Sequence, residues 1–315
     1  FCPVEEHLAR VSAALNWCQQ KEIKVVIGFD GPIAAPPDYE DPNNVAYEMV
    51  REYVAAFRDH PALLGWKMGD EYSAEAAPGI NATVEVIREA GSQHVITQVH
   101  PHTWSAAEVT TLMAKTDVCE FDGYTYLKNN PTFAEDSCDR VLSWQMEKAS
   151  LVQEKGWQGN INVTQAVGLK CGTIDFRFPT YEEYRWNVFS AIASAGARGT
   201  VNWIYSHSEG GFYMTDPERE KFFAFCDNTV KPVNAEQRMI QHAMETGYNA
   251  GKVRSNLDQL VPGRNFNRIG HLLLYDDAQG QYFLIVSNNV SNEFEMELTI
   301  YDLPVLLNSH MVTES

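Results

Sequence analysis

The sequence predicts an α/β fold, a (β/α)8 barrel lacking its first two βα units, followed by a small all-β domain. Three observations predict it. Apolar runs of strand length alternate with amphipathic helical segments, polar or aromatic residues end almost every run, and beyond residue 252 the pattern changes to period two.

Leu8, Val11, Leu15 and Cys18 recur at helical spacing, and "IKVVIGF" then forms a β-branched apolar run ending at Asp30. Residues 31–44, rich in Pro, Asp and Asn, read as a long surface loop. Ala46, Met49, Val50, Tyr53, Val54 and Phe57 mark the next helix, which leads into "ALLGWKM" and the adjacent carboxylates Asp70 and Glu71. The alternation continues through helices near 81–90, 105–115 and 139–155 and the helix "YEEYRWNVFSAIASAGA". Strands are expected at 23–29, 62–69, 94–100, 117–124, 160–167 and 199–205. Their nearly continuous apolar character fits parallel strands covered on both faces.

An open doubly wound sheet places its site at one switch point. Here polar and aromatic residues end strand after strand: Asp30, Asp70/Glu71, His100, Asp122/Tyr124, Gln165 and Trp203/Tyr205. That convergence favours the barrel. Six strands leave two βα units missing, so the first strand of this chain is expected to be the third of the barrel. The chain opens at Phe1 rather than Met, an expectation that something upstream has been removed. The barrel is assigned to residues 1–248, its closing helices broken at Pro232. Residues 252–315 are assigned to a sandwich-like and incomplete β-domain, with a hairpin turning at "DAQGQ".

A formal charge of −18 without a Lys/Arg cluster excludes polyphosphate as a natural partner, so no nucleic acid is expected. No run reaches the ~20 apolar residues needed to span a bilayer, and no membrane partner is expected. The six cysteines show no CxxC spacing and read as buried free thiols. "HPH" at 100–102 has no recognisable third metal ligand, and no metal or other cofactor is expected. Three N-x-S/T sequons begin at Asn81, Asn162 and Asn289, but Asn162 falls in an expected buried strand.

The "HPALLGW…DE" strand, "DVCEFDGYTY", "VTQAVG" and the "Y…RWNVFSAIASAGARGTVNWIYS" unit resemble TIM-barrel glycoside hydrolases of the broad clan A-like group. The resemblance spans residues 8–245 and implies a carbohydrate substrate, with Glu71 as acid/base at the end of the fourth barrel strand. Two departures stand out. Asp70 occupies the position before that Glu where the group carries Asn, and Gln165 occupies the slot of the retaining nucleophile, which an amide cannot serve.

Glycoside hydrolysis needs a protonated acid and a second carboxylate. Glu71, following Trp66 and Met68 on an apolar strand, suits the first role. The bland reading is that Asp70 and Glu71 begin a loop that caps a helix near Ser73. Asp122 is the first choice for the second carboxylate, with Glu120 two residues earlier on the same face. Asp30, Asp70, His100, Tyr124, Gln165, Trp203 and Tyr205 are the candidates for contacting sugar, Trp203 as a subsite floor. The expected activity is that of a secreted or periplasmic glycosidase acting on a poly- or oligosaccharide. The alternative is a non-catalytic carbohydrate-binding descendant of the same barrel, motivated by Gln165.

Overall fold

A computed structural model describes residues 4–129, 135–168, 170–171, 174–203, 216–246, 248–249, 252–256, 267–288 and 295–301. Its elements run α1 (Val4–Gln20), β1 (Val25–Phe29), α2 (Val45–Phe57), β2 (Leu63–Asp70), α3 (Ala77–Glu89), β3 (Val95–Pro101), α4 (Ala106–Leu112), β4 (Val118–Asp122) and α5 (Glu135–Lys155). There follow β5 (Gly159–Gln165), the short antiparallel pair β6 (Lys170–Cys171) and β7 (Ile174–Asp175), α6 (Tyr181–Ala195), β8 (Gly199–Trp203), α7 (Asp216–Phe225) and α8 (Lys231–Glu245). The chain then turns to β9 (Tyr248–Asn249), β10 (Lys252–Ser255), β11 (Ile269–Asp276), β12 (Gln281–Asn288) and β13 (Leu298–Tyr301).

Each predicted strand is present, shifted by a residue or two at its ends, except that the expected end of the last one, at 204–205, lies outside the described residues. The helix expected at 81–90 begins earlier, at Ala77, because Pro78 occupies its first turn, where a missing N–H costs nothing. The break expected at Pro232 takes an unexpected form. A π-turn at Cys226–Val230 joins α7 to α8, and Pro232 sits in the first turn of α8, so the chain stays helical through it.

Two compact units emerge, Phe1–Asp122 with Leu151–Ile161, and Gly123–Ser150 with Asn162–Ser315. In the first, β1, β2, β3 and β4 are parallel neighbours in chain order. This is the repeating unit of a (β/α) barrel. Trp66, Met68, Phe29 and Ile96 point from the strands into the helices, packing with Val50, Val54 and Phe57 of α2 and Ile80, Val84 and Ile87 of α3. Phe29 stacks on Trp66 at 5.6 Å, and the indole N–H of Trp66 donates to Ser92 Oγ at 2.8 Å. A second apolar group, Val109, Met113, Cys119, Phe121, Leu151 and Val152, covers the same side of β4.

In the second unit the Ala166 N–H following β5 donates to the Trp203 carbonyl at the end of β8. Tyr184, Val188 and Ile192 of α6 pack with Phe225, Val233 and Ile240 and with Leu274 and Ile285 of the β11–β12 hairpin. Gly270 permits this approach, since a Cβ there would lie 1.9 Å from Ser194 Oγ. The expected hairpin is thus found, turning at 277–280, and β10 pairs antiparallel with β13. Asn162 is buried in a polar cluster with Gln145, Asn187 and Thr164, its Nδ2 donating to Asn187 Oδ1 at 2.8 Å, which removes it as a glycosylation acceptor in the folded chain. Cys18 and Cys226 are free thiols.

Candidate functional site

Strand register decides which side chains share a face. Lys67 is paired with Gly28 on one side and Thr97 on the other, Asp70 with Val99, Val99 with Glu120, and Pro101 with Asp122. Partners across a parallel ladder point the same way, and alternate residues along a strand do too. Asp30, two residues beyond Gly28 and still extended, therefore joins Lys67, Asp70, Thr97, Glu120 and Asp122 on the face opposite Trp66 and Met68. Among the described residues of this face, acids and a lysine thus gather at the carboxyl ends of neighbouring strands and at the residue following β1.

A bulge places Asp70 there. Between Lys67 and Asp70, β2 advances three residues while β3 advances two, from Thr97 to Val99. Gly69 takes up the extra residue at φ +67°, and a Cβ there would lie 1.7 Å from Tyr72 Cε2. Without the bulge Gly69 would share the face of Lys67. Glu71 follows in the left-handed region at φ +52°, exposed, its N–H donating to the Val99 carbonyl at 3.3 Å. A non-glycine residue there is strained by roughly 1–2 kcal/mol. The short 3-10 turn that follows, Ala74–Ala76, has Ser73 at its N-cap without a side-chain cap bond.

Asp30 is engaged by its surroundings. Its Oδ1 accepts from the Gly31 N–H and from Tyr72 Oη, both at 2.8 Å. Burial, together with the bond to Asp30, pushes the Tyr72 phenol well above its ordinary pKa. Lys67 Nζ lies 3.6 Å from Asp70 Oδ2. Glu120 is 4 % exposed, and burial raises its carboxyl pKa, with Thr97 and Lys67 opposing the rise and Asp70 adding to it. Asp122 is also buried, and its carbonyl accepts from the His102 backbone N–H at 3.0 Å. A cavity of about 190 Å³ beside β1 is lined by Asp30 and by apolar residues of α1, β1 and α2, including Val11, Ile27, Phe29, Met49 and Tyr53.

His100 lies elsewhere. Its partner in the ladder is Phe121, and its ring lies near those of Phe121 and Trp104, on the face that carries Cys119 into the helices. In the second unit Tyr124 stacks on Trp203 with centroids 4.6 Å apart and planes 17° apart, and Phe176 meets both rings edge-on. Gln165 is fully buried. Its Nε2 donates to the carbonyls of Tyr126, Val167 and Arg177 at 3.1, 3.2 and 2.9 Å, and its Oε1 accepts from the Tyr126 N–H at 3.1 Å. Those bonds hold together the segments that follow β4, β5 and β7. Tyr205 lies outside the described residues. Lys67, Thr97 and Tyr72 are the members of the acidic face that sequence reasoning missed. A lone Lys inside the apolar run "LLGWKMGD" was the available signal.

No family model matches the chain, and no curated protein does. Solved structures do. A glycoside hydrolase family 5 protein from Bacteroides vulgatus superposes with a TM-score of 0.51 at 14 % identity, over 80 % of this chain and 57 % of that one. The fold is shared with glycoside hydrolases. The β-galactosidase of the psychrophilic Marinomonas ef1 gives a TM-score of 0.50 at 12 % identity, over 77 % of this chain and 55 % of that one. The chain thus spans a little over half the length of either structure. Among the described residues no helix is long and apolar enough to cross a membrane.

Proposed function

We propose that the protein is a secreted or periplasmic glycosidase that cleaves O-glycosidic bonds of a poly- or oligosaccharide, with Glu71 as general acid and Asp122 as the second carboxylate. The observation that supports it is the ladder register. It sets Asp30, Asp70 and Asp122 on one face at strand ends, with Glu71 immediately beyond Asp70. Glu71 would protonate the leaving oxygen while Asp122 directs water or attacks the anomeric carbon. β2 and β4 are two strands apart, roughly 10 Å between backbones. Asp30 and Asp70 would accept bonds from sugar hydroxyls.

A panel of aryl glycosides and glycans tests this with wild type, Glu71→Gln and Asp122→Asn. The expected result is turnover by wild type and a loss of kcat of roughly 10²–10⁴-fold in Glu71→Gln with substrate binding retained. Equal turnover by Glu71→Gln refutes the assignment.

One observation favours the carbohydrate-binding alternative. The amide of Gln165 is committed to main-chain bonds where the resemblance expects a nucleophile. Calorimetric binding of glycans without hydrolysis by wild type would establish that reading.

A further inference from the structure

Lys67 is a charged residue in the middle of a strand whose neighbours Trp66 and Met68 are fully buried. Its stem runs along the sheet, and its ammonium reaches the rung above, where Asp70 and Glu120 are both in register with Val99. Among the described residues, the charged or titratable groups on this side are Asp70 from its own strand, Glu120 and Asp122 from β4, and Asp30 and Tyr72 from the flanking loops. β3 contributes the hydroxyl of Thr97. Asp70 in turn leads directly into Glu71, whose left-handed backbone is tied to the Val99 carbonyl.

We propose that Lys67 is a positioning residue, a fixed cation beneath the acidic face that holds Asp70 against the sheet and so sets the direction of Asp70 and the charge state of Glu120 beside it. The proposal rests on the glycosidase reading for its kinetic consequence and on the geometry alone for its electrostatic one. Removing the cation strips Glu120 of this counter-charge while Asp70, Asp122 and Asp30 still share its face, so Glu120 keeps its proton to a higher pH. Burial acting on Glu120 works in the same direction.

The test compares wild type, Lys67→Met, Lys67→Gln and Lys67→Arg, with cooperative unfolding checked for each. Two readouts are taken: kcat and KM against pH on a hydrolysed glycoside, and carboxyl ¹³C NMR titration of labelled Asp and Glu. Lys67→Met and Lys67→Gln are expected to lose about tenfold in kcat with little change in KM. The Glu120 titration should move up by roughly 0.5–1 pH unit, and the pH profile with it. That shift is reduced from the range for close pairs because the Lys67 ammonium is partly solvated. Lys67→Arg, which keeps the charge, restores the wild-type profile. An unmoved profile and titration in both neutral variants, or a Lys67→Arg profile displaced as far as theirs, overturns the proposal. A wild type that hydrolyses no glycoside refutes the glycosidase reading by itself, and the titrations then decide the role of Lys67.

Discussion

Replacing Gln165 with glutamate changes one NH₂ group to oxygen at a site with no solvent access. In the native chain that NH₂ faces three carbonyl oxygens at 2.9–3.2 Å. An ionised carboxylate in its place would aim a negative oxygen at all three, and a buried, unpaired charge costs several kcal/mol. The carboxyl therefore keeps its proton in the folded state and donates one bond where the amide offers two hydrogens. At low pH, where the unfolded chain is also protonated, the cost is that of one lost hydrogen bond, about 1–2 kcal/mol. Above the unfolded pKa of about 4.3, the unfolded state alone releases a proton, so stability falls by about 1.4 kcal/mol per pH unit until the folded pKa is reached. At pH 7 this adds up to about 3–4 kcal/mol, for a total of about 5 kcal/mol. Urea unfolding of wild type and Gln165→Glu at pH 4 and pH 7 measures it. A difference from wild type that stays below about 1 kcal/mol and does not grow with pH would refute the reasoning. The same physics explains the amide: a carboxylate nucleophile cannot occupy this position while its neighbours keep their present arrangement.

Arg177 and Glu183 form a two-pronged pair at 2.6 and 2.7 Å, with Glu183 fully buried and also accepting from the Thr180 N–H as part of a capping box. Glu183→Ala removes both carboxylate acceptors of the guanidinium and the acceptor of the Thr180 N–H, and should cost about 3–5 kcal/mol in urea unfolding. Gly69→Ala must displace the Tyr72 ring as well as accept a positive φ. It should destabilise by about 1–3 kcal/mol and bring the phenol pKa, measured by ultraviolet titration, back toward the ordinary tyrosine value. Asp276 is fully enclosed, which alone would raise its pKa, but bonds from the Gln279 N–H and from His242 bring the net value below the usual range. A depressed folded pKa stabilises above the unfolded value and is lost as pH falls through the folded one. Asp276→Asn should therefore lower stability at pH 7 and flatten the acid limb of the stability curve below about pH 4.

The sequence by itself determined the alternation of strands and helices and the residues that end each strand, because period and burial are local signals that one chain direction carries. It also set the two carboxylates of "GDEYS" at a strand mouth. It located the C-terminal hairpin for the same reason: turn residues between alternating runs need no distant partner to be read. Only the tertiary structure decided which residues face together. The bulge at Gly69 swaps the side on which Asp70 falls, the ladder register turns His100 toward Phe121, and three carbonyls from separate segments converge on Gln165. Each of these depends on contacts between residues far apart in the chain, where a shift of one position in one strand reverses every side chain that follows.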